Sequence, residues 1–176
     1  MLNIFQFNLE NLYAWTAAYT ILEPLSYYLI PAFSKSKTVQ EYYDSTKTPV
    51  FVVVFGDYIY STFLLLLSMI VNPILWGNTD TINILGWIQR FFTFVVVQWI
   101  GDISFYNIVR NLEFHTKYID FFTRYGKEVS LGAPIGDSIY GFIWFTLTQF
   151  IATSVPNVVK TILISLFLFG TLIMTY

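Results

Sequence analysis

Cysteine is absent from this 176-residue chain, which removes disulfides, thiol chemistry and Cys-based metal sites from consideration. Histidine occurs once, as His115, so a di-iron carboxylate bundle, which needs Glu-x-x-His pairs, has no ligands. An intramembrane serine nucleophile would equally lack its His base. Charge is scarce as well: Lys, Arg, Asp and Glu make up 11% of the residues, against roughly 25% in soluble domains. The nine basic residues form no run and the formal net charge is −2, so nucleic acid is not an expected partner. The first fifteen residues carry no basic n-region, and Glu23 and Pro24 interrupt the apolar stretch behind them. A retained helix, not a cleaved leader, is therefore expected. Without a Gly at position 2 or any Cys for acylation, spanning helices are the expected membrane attachment.

What remains is apolar and aromatic. Hydrophobic residues make up 56% of the chain and aromatics 20%, a composition suited to a bilayer, where Tyr and Trp favour the boundary between lipid and water. A crossing helix takes about 20 mostly apolar residues. Five segments qualify, at about 11–33, 49–76, 85–109, 131–155 and 158–176. The expected fold is an all-α integral membrane protein, one polytopic domain over residues 1–176, built as a bundle of about five transmembrane helices with a cytoplasmic interfacial amphipathic helix. Pro49, Pro73, Pro134 and Pro156 fall near the proposed ends, whereas Pro24 and Pro31 lie within the first helix or near its end.

Basic residues sort to one side. The first connection carries Lys35, Lys37 and Lys47, and the third carries Arg110, Lys117, Arg124 and Lys127. Arg90 and Lys160 alone are candidates for the opposite side, close enough to helix ends for their stems to snorkel. The positive-inside rule then places both basic connections and the C-terminus in the cytoplasm and the N-terminus outside. Between about 110 and 126, Glu113, Lys117, Asp120, Arg124 and Lys127 form a polar face opposite Phe114, Tyr118, Phe121, Phe122 and Tyr125. Phe114, Tyr118, Phe121 and Phe122 are the expected membrane-interface contacts of a surface helix; a cytoplasmic extension of the third span fits the same pattern. Thr38 and Glu41 stand at capping-box spacing before Tyr42 and Tyr43.

Against this apolar background stand four acids. Asp57, Asp102 and Asp137 each follow a glycine, and Glu23 lies in the first segment. A carboxylate at membrane depth is costly, and by default it marks a functional site. With the inferred topology, Asp57 and Asp137 lie about 12 Å along their helices from the cytoplasmic end, Asp102 reaches a similar depth, and Glu23 lies at about 16 Å. Polar residues follow at helical spacing, Gln98, Tyr60, Tyr140 and Ser61 among them, so polar stripes should face inward and apolar faces lipid. Glycine beside each aspartate should let helices approach closely. Gly56-Asp57-Tyr58-Ile59-Tyr60 and Gly136-Asp137-Ser138-Ile139-Tyr140 share four of five positions, the mark of a degenerate duplication.

Several mechanisms fail on their residues. The Glu-x-Gly-Asp-basic-hydroxyl signature of some cation exchangers is unmet, because Val54, Trp99 and Pro134 stand where it needs Glu. A retinal-type pigment needs a lysine deep in the last span, and Lys160 lies at its start. The expected function is a carboxylate layer that binds or conducts a cation or protons through Asp57, Asp102, Asp137 and Glu23, supported by Gln98, Tyr60, Tyr140 and Ser61. The first alternative is a structural or assembly subunit of a membrane complex or homo-oligomer whose acids fasten helices. The second is a lipid-modifying enzyme with Asp57, Asp102 and Asp137 around a metal cation, no other cofactor being implied.

Overall fold

A computed structural model describes residues 9–77 and 84–175. They form seven helices and no strand: α1 (Leu9–Phe33), α2 (Lys37–Tyr42), α3 (Val50–Trp76), α4 (Ile84–Arg110), α5 (Lys117–Val129), α6 (Gly132–Ser154) and α7 (Asn157–Thr175). The five long helices coincide with the five apolar segments. Of these, α3, α4 and α7 are long and apolar enough to cross a membrane. Residues 1–8, on which part of the leader argument rests, and Tyr176 lie outside the described residues.

Helix α1 is the centre of the bundle. Eleven of its 25 residues are buried, including Asn11, Thr20, Glu23 and Ser26, while α7 buries only Lys160 and Thr171. α1 packs along α6 and α7, and α3 lies along α4. This placement explains why α1 reads as less apolar than α3: its polar residues meet protein, so they need not suit lipid. At its core the indole rings of Trp15 and Trp144 stack with centroids 3.8 Å apart, and Trp144 Nε1 donates to the Trp15 carbonyl at 2.9 Å. Phe94 and Phe145 close the cluster edge-on.

Apolar side chains on the outer faces remain exposed, among them Ile59, Phe63, Ile70, Ile100, Ile139 and Phe169. Buried polar residues, Ser68, Asn72, Gln98 and Thr148 among them, face the interior. Arg90 and Lys160 differ from expectation. Neither snorkels outward: they are 5% and 4% exposed, and Lys160 Nζ donates to Asn157 Oδ1 at 3.1 Å.

The two basic connections meet at one end of the bundle, where α2 packs on α5. Arg124 donates to both Glu41 oxygens, at 3.0 and 2.9 Å, and Glu128 accepts from the Lys37 N–H at the start of α2 at 2.8 Å. Two details depart from the sequence reading. The helical turn expected before Tyr42 and Tyr43 is α2, but its cap is Ser36, which accepts from the Val39 N–H at 3.2 Å; Thr38 lies inside the helix, so it forms no capping box with Glu41. The amphipathic helix starts at Lys117, capped by Thr116, so it is a separate element and no extension of α4. Its apolar face turns partly inward: Phe121 is buried with its ring stacked on Tyr42 at 5.6 Å, and Phe122 packs on Phe105. Phe114 and Tyr118 remain exposed.

The Arg124 hydrogen bonds hold the Glu41 carboxyl below its ordinary value. A carboxylate with a folded-state pKa below its unfolded one stabilises the fold above the unfolded value, and that stability is lost as pH falls through the folded value. The wild-type protein in detergent should therefore lose its advantage in melting temperature over Glu41→Gln between about pH 5 and pH 3. Curves that stay parallel through that window would show that the pair contributes nothing.

Candidate functional site

Three of the four acids are held by phenols. Tyr42 donates to Asp57 Oδ1 at 2.7 Å, Tyr60 donates to Asp102 Oδ1 at 2.8 Å, and Tyr140 donates to Glu23 Oε2 at 2.8 Å. Each bond joins two different helices. Asp137 is exposed at the chain surface, yet lies within electrostatic range of Asp57 and Asp102; Asp57 is in turn within range of Glu23. The ion pairs among the described residues, Lys47–Asp44, His115–Asp120 and Arg124–Glu41, all lie outside this group.

The phenols leave acceptors unused. Glu23 is 2% exposed, and among the described residues its Oε1 has no hydrogen-bond partner; the same holds for Asp102 Oδ2, Gln98 Oε1 and Thr148 Oγ1. A buried acceptor left without a donor costs about 1–3 kcal/mol, so these oxygens invite a proton, a cation or water. Among the described residues no three of His, Asp and Glu converge to hold a metal ion. Ser61, named beside the acids in the sequence, is half-buried on α3.

The arrangement repeats. Ser36, Gly56, Asp57, Tyr60 and Ser68 recur at one constant spacing as Thr116, Gly136, Asp137, Tyr140 and Thr148, and Glu23 and Asp102 fall within one residue of it. Ser36 and Thr116 each cap a short helix by accepting from the N–H three residues on. Tyr60 reaches from α3 to the acid of α4, and Tyr140 from α6 to the acid of α1. The middle residue of each pentapeptide crosses the other way. Thr16 on α1, whose own proton goes to the Leu12 carbonyl, accepts from Tyr58 at 2.7 Å. Ser138, bonded likewise to the Pro134 carbonyl, accepts from Trp99 on α4 at 2.9 Å. So α3 and α6 each bridge α1 and α4 with exchanged roles, as two related halves would, and α7 is added outside the repeat.

The glycines do not share one role. A Cβ on Gly101 would lie 2.7 Å from Leu64 Cδ2 and 3.1 Å from the Tyr60 hydroxyl, whereas at Gly56 and Gly136 it would meet nothing within 4 Å. Of the three glycines beside aspartates, close approach therefore applies only to Gly101, where it lets Tyr60 reach Asp102. Sequence reasoning missed Tyr42 as a ligand of Asp57, although a Tyr pair at a helix end facing the next acidic helix was a usable signal.

A cavity of ≈ 340 Å³ opens beside Asp57, between α2, α3, α4 and α5. Gly56 lines it, which accounts for the open space over that glycine.

Alanine at the three glycines should separate their roles. Helix propensity alone favours Ala over Gly by up to about 1 kcal/mol, so Gly56→Ala and Gly136→Ala should hold or raise the melting temperature. Gly101→Ala should lower it, since Leu64 and Tyr60 must yield. Equal responses at all three positions would remove the argument for close packing at Gly101.

The chain matches no known family model, no curated protein and no solved structure.

Proposed function

We propose that this is a five-span integral membrane protein whose carboxylate layer takes up and passes a cation, the proton foremost. The N-terminus lies outside, the C-terminus lies inside, and α2 and α5 lie at the cytoplasmic face. The reading is supported by the gathering of the basic connections at one end of the bundle, as the positive-inside rule requires. α1 counts as a span because its polar residues are largely turned inward, and α6 because it packs along α1.

One observation carries the functional part: two related halves bring four acids into one neighbourhood, with no ion pair to any of them and with acceptor oxygens left unfilled among the described residues. Internal repeats with ion sites at their interface are a recurrent plan of membrane transporters. Phenol–carboxylate pairs also offer protons short transfers between helices. No three of these acids converge among the described residues, which favours protons or a monovalent ion held by one or two carboxylates over a multidentate metal site.

A second reading has its own support. Each phenol–carboxylate bond ties one helix to another, which is what a structural or assembly subunit would need of buried acids. Under that reading no ion moves, and partner subunits or a homo-oligomer are the functional unit.

Two measurements decide. Because the chain has no cysteine, single replacements report topology without background. In intact cells, Lys35→Cys and Lys127→Cys should resist an impermeant maleimide from outside, and Pro156→Cys should react; the reverse pattern would overturn the orientation. In proteoliposomes under an imposed pH gradient, the wild-type protein should dissipate the gradient, and Asp57→Asn, Asp102→Asn and Asp137→Asn should each slow it at least about tenfold, the scale of a lost relay group. Equal rates in the variants would end the conduction reading and leave the structural one.

A further inference from the structure

The cavity beside Asp57 has a chemistry of its own. Its wall is a chain of touching rings: Tyr42 stacks on Phe121, Phe121 meets Phe122, Phe122 meets Phe105, and Phe105 leans on Tyr60. All five line the cavity together with Asp57 and Gly56. Three charged residues reach it, and two are already committed. Glu41 is held by Arg124 through two hydrogen bonds, and Lys117 donates its ammonium to the Lys47 carbonyl at 2.6 Å. Asp57 is left with one phenol on Oδ1 and no ion pair among the described residues.

We infer that this cavity binds an organic ammonium, quaternary or alkyl-substituted, with its charge facing Asp57 and its alkyl groups against the aromatic wall. Ring faces attract cations, and aromatic cages are a recurrent way of holding quaternary ammonium groups. A volume of ≈ 340 Å³ is at the lower end of the usual ligand range, about 300–1,000 Å³, and suits a compact cation of that kind. A metal ion would leave the ring faces idle and find few oxygens. An anionic amphiphile would place its charge against Asp57. The inference shares Asp57 with the proposed cation layer but requires no transport, so a protein that conducts nothing still tests it.

The ammonium belongs either to a free organic cation or to the headgroup of a choline lipid. The protein is reconstituted in phosphatidylglycerol nanodiscs and titrated calorimetrically with benzyltrimethylammonium and with its neutral carbon analogue, neopentylbenzene. Saturable binding of the cation is expected, with the neutral analogue at least about tenfold weaker. Asp57→Asn should weaken cation binding by a similar factor. Gly56→Leu, whose Cβ would meet nothing within 4 Å, should abolish it by filling the cavity, while Gly170→Leu on α7, equally open at its Cβ, leaves it unchanged. Repeating the titration in phosphatidylcholine nanodiscs assigns the source: weakened binding identifies the lipid headgroup as occupant, and unchanged binding a free cation. Absence of saturable binding in phosphatidylglycerol, equal affinity for the neutral analogue, or indifference to both Asp57→Asn and Gly56→Leu would overturn the proposal.

Discussion

Carboxylates enclosed in a helical bundle must be satisfied, and this chain satisfies them with donors that carry no charge. Tyrosine meets that demand at Asp57, Asp102 and Glu23. Hydrogen bonds to charged groups contribute about 1.5–3 kcal/mol each, and a phenol supplies one without bringing a second ion into a poorly solvated interior. The length of the tyrosine side chain then sets helix spacing. α3 must stand where Tyr60 spans to α4, α6 where Tyr140 spans to α1, and Gly101 must be bare so that Tyr60 can pass. Much of the bundle's geometry follows from these reaches and from the Trp15–Trp144 stack that holds α1 against α6.

Each phenol offers one proton, so a carboxylate bound this way keeps acceptor capacity. A lysine or arginine in the same place would have neutralised the acid and closed the site. Glu23 Oε1 and Asp102 Oδ2 stay unfilled in equivalent positions of the two halves, and the Asp57–Asp137 pair occupies the other two. Tyr42 reaches Asp57, but the residue at the matching position of the second half is Phe122, which has no hydroxyl. Asp137 is correspondingly left exposed without a phenol, so the repeat is symmetric in its helices and asymmetric in its chemistry.

The helices themselves were legible because length and apolarity set them: all five long elements lie within two residues of the segments drawn from the sequence. The acids and two of their phenols, Tyr60 and Tyr140, were legible for the same reason, since helical spacing puts them on one stripe. Partner choice was not. Tyr60 lies one turn from Asp57 on the same helix yet bonds Asp102, because α4 packs against α3 at Gly101 and brings Asp102 to the phenol, a contact that the spacing along either helix does not encode. The amphipathic pattern of α5 told which face was apolar without telling what would cover it; part of the cover is Tyr42 on α2, a contact that depends on how the two connections fold over one end. The repeat was visible as five residues and became extensive only when caps, acids and phenols could be aligned by role.

The end of the bundle formed by α2 and α5 encloses the cavity beside Asp57. Tyr42, Phe121 and Phe122 line it with Asp57, as does Glu41, which Arg124 holds. A group that reaches Asp57 through this cavity meets aromatic rings, which favours species that tolerate losing water. A hydrated metal ion sheds its shell reluctantly, whereas an alkylated ammonium is weakly hydrated and gains ring contacts in exchange. Protons need no such passage where phenols already bridge the helices. Under the proposed cation-binding reading, the same aromatic layer sorts cations by the cost of dehydration.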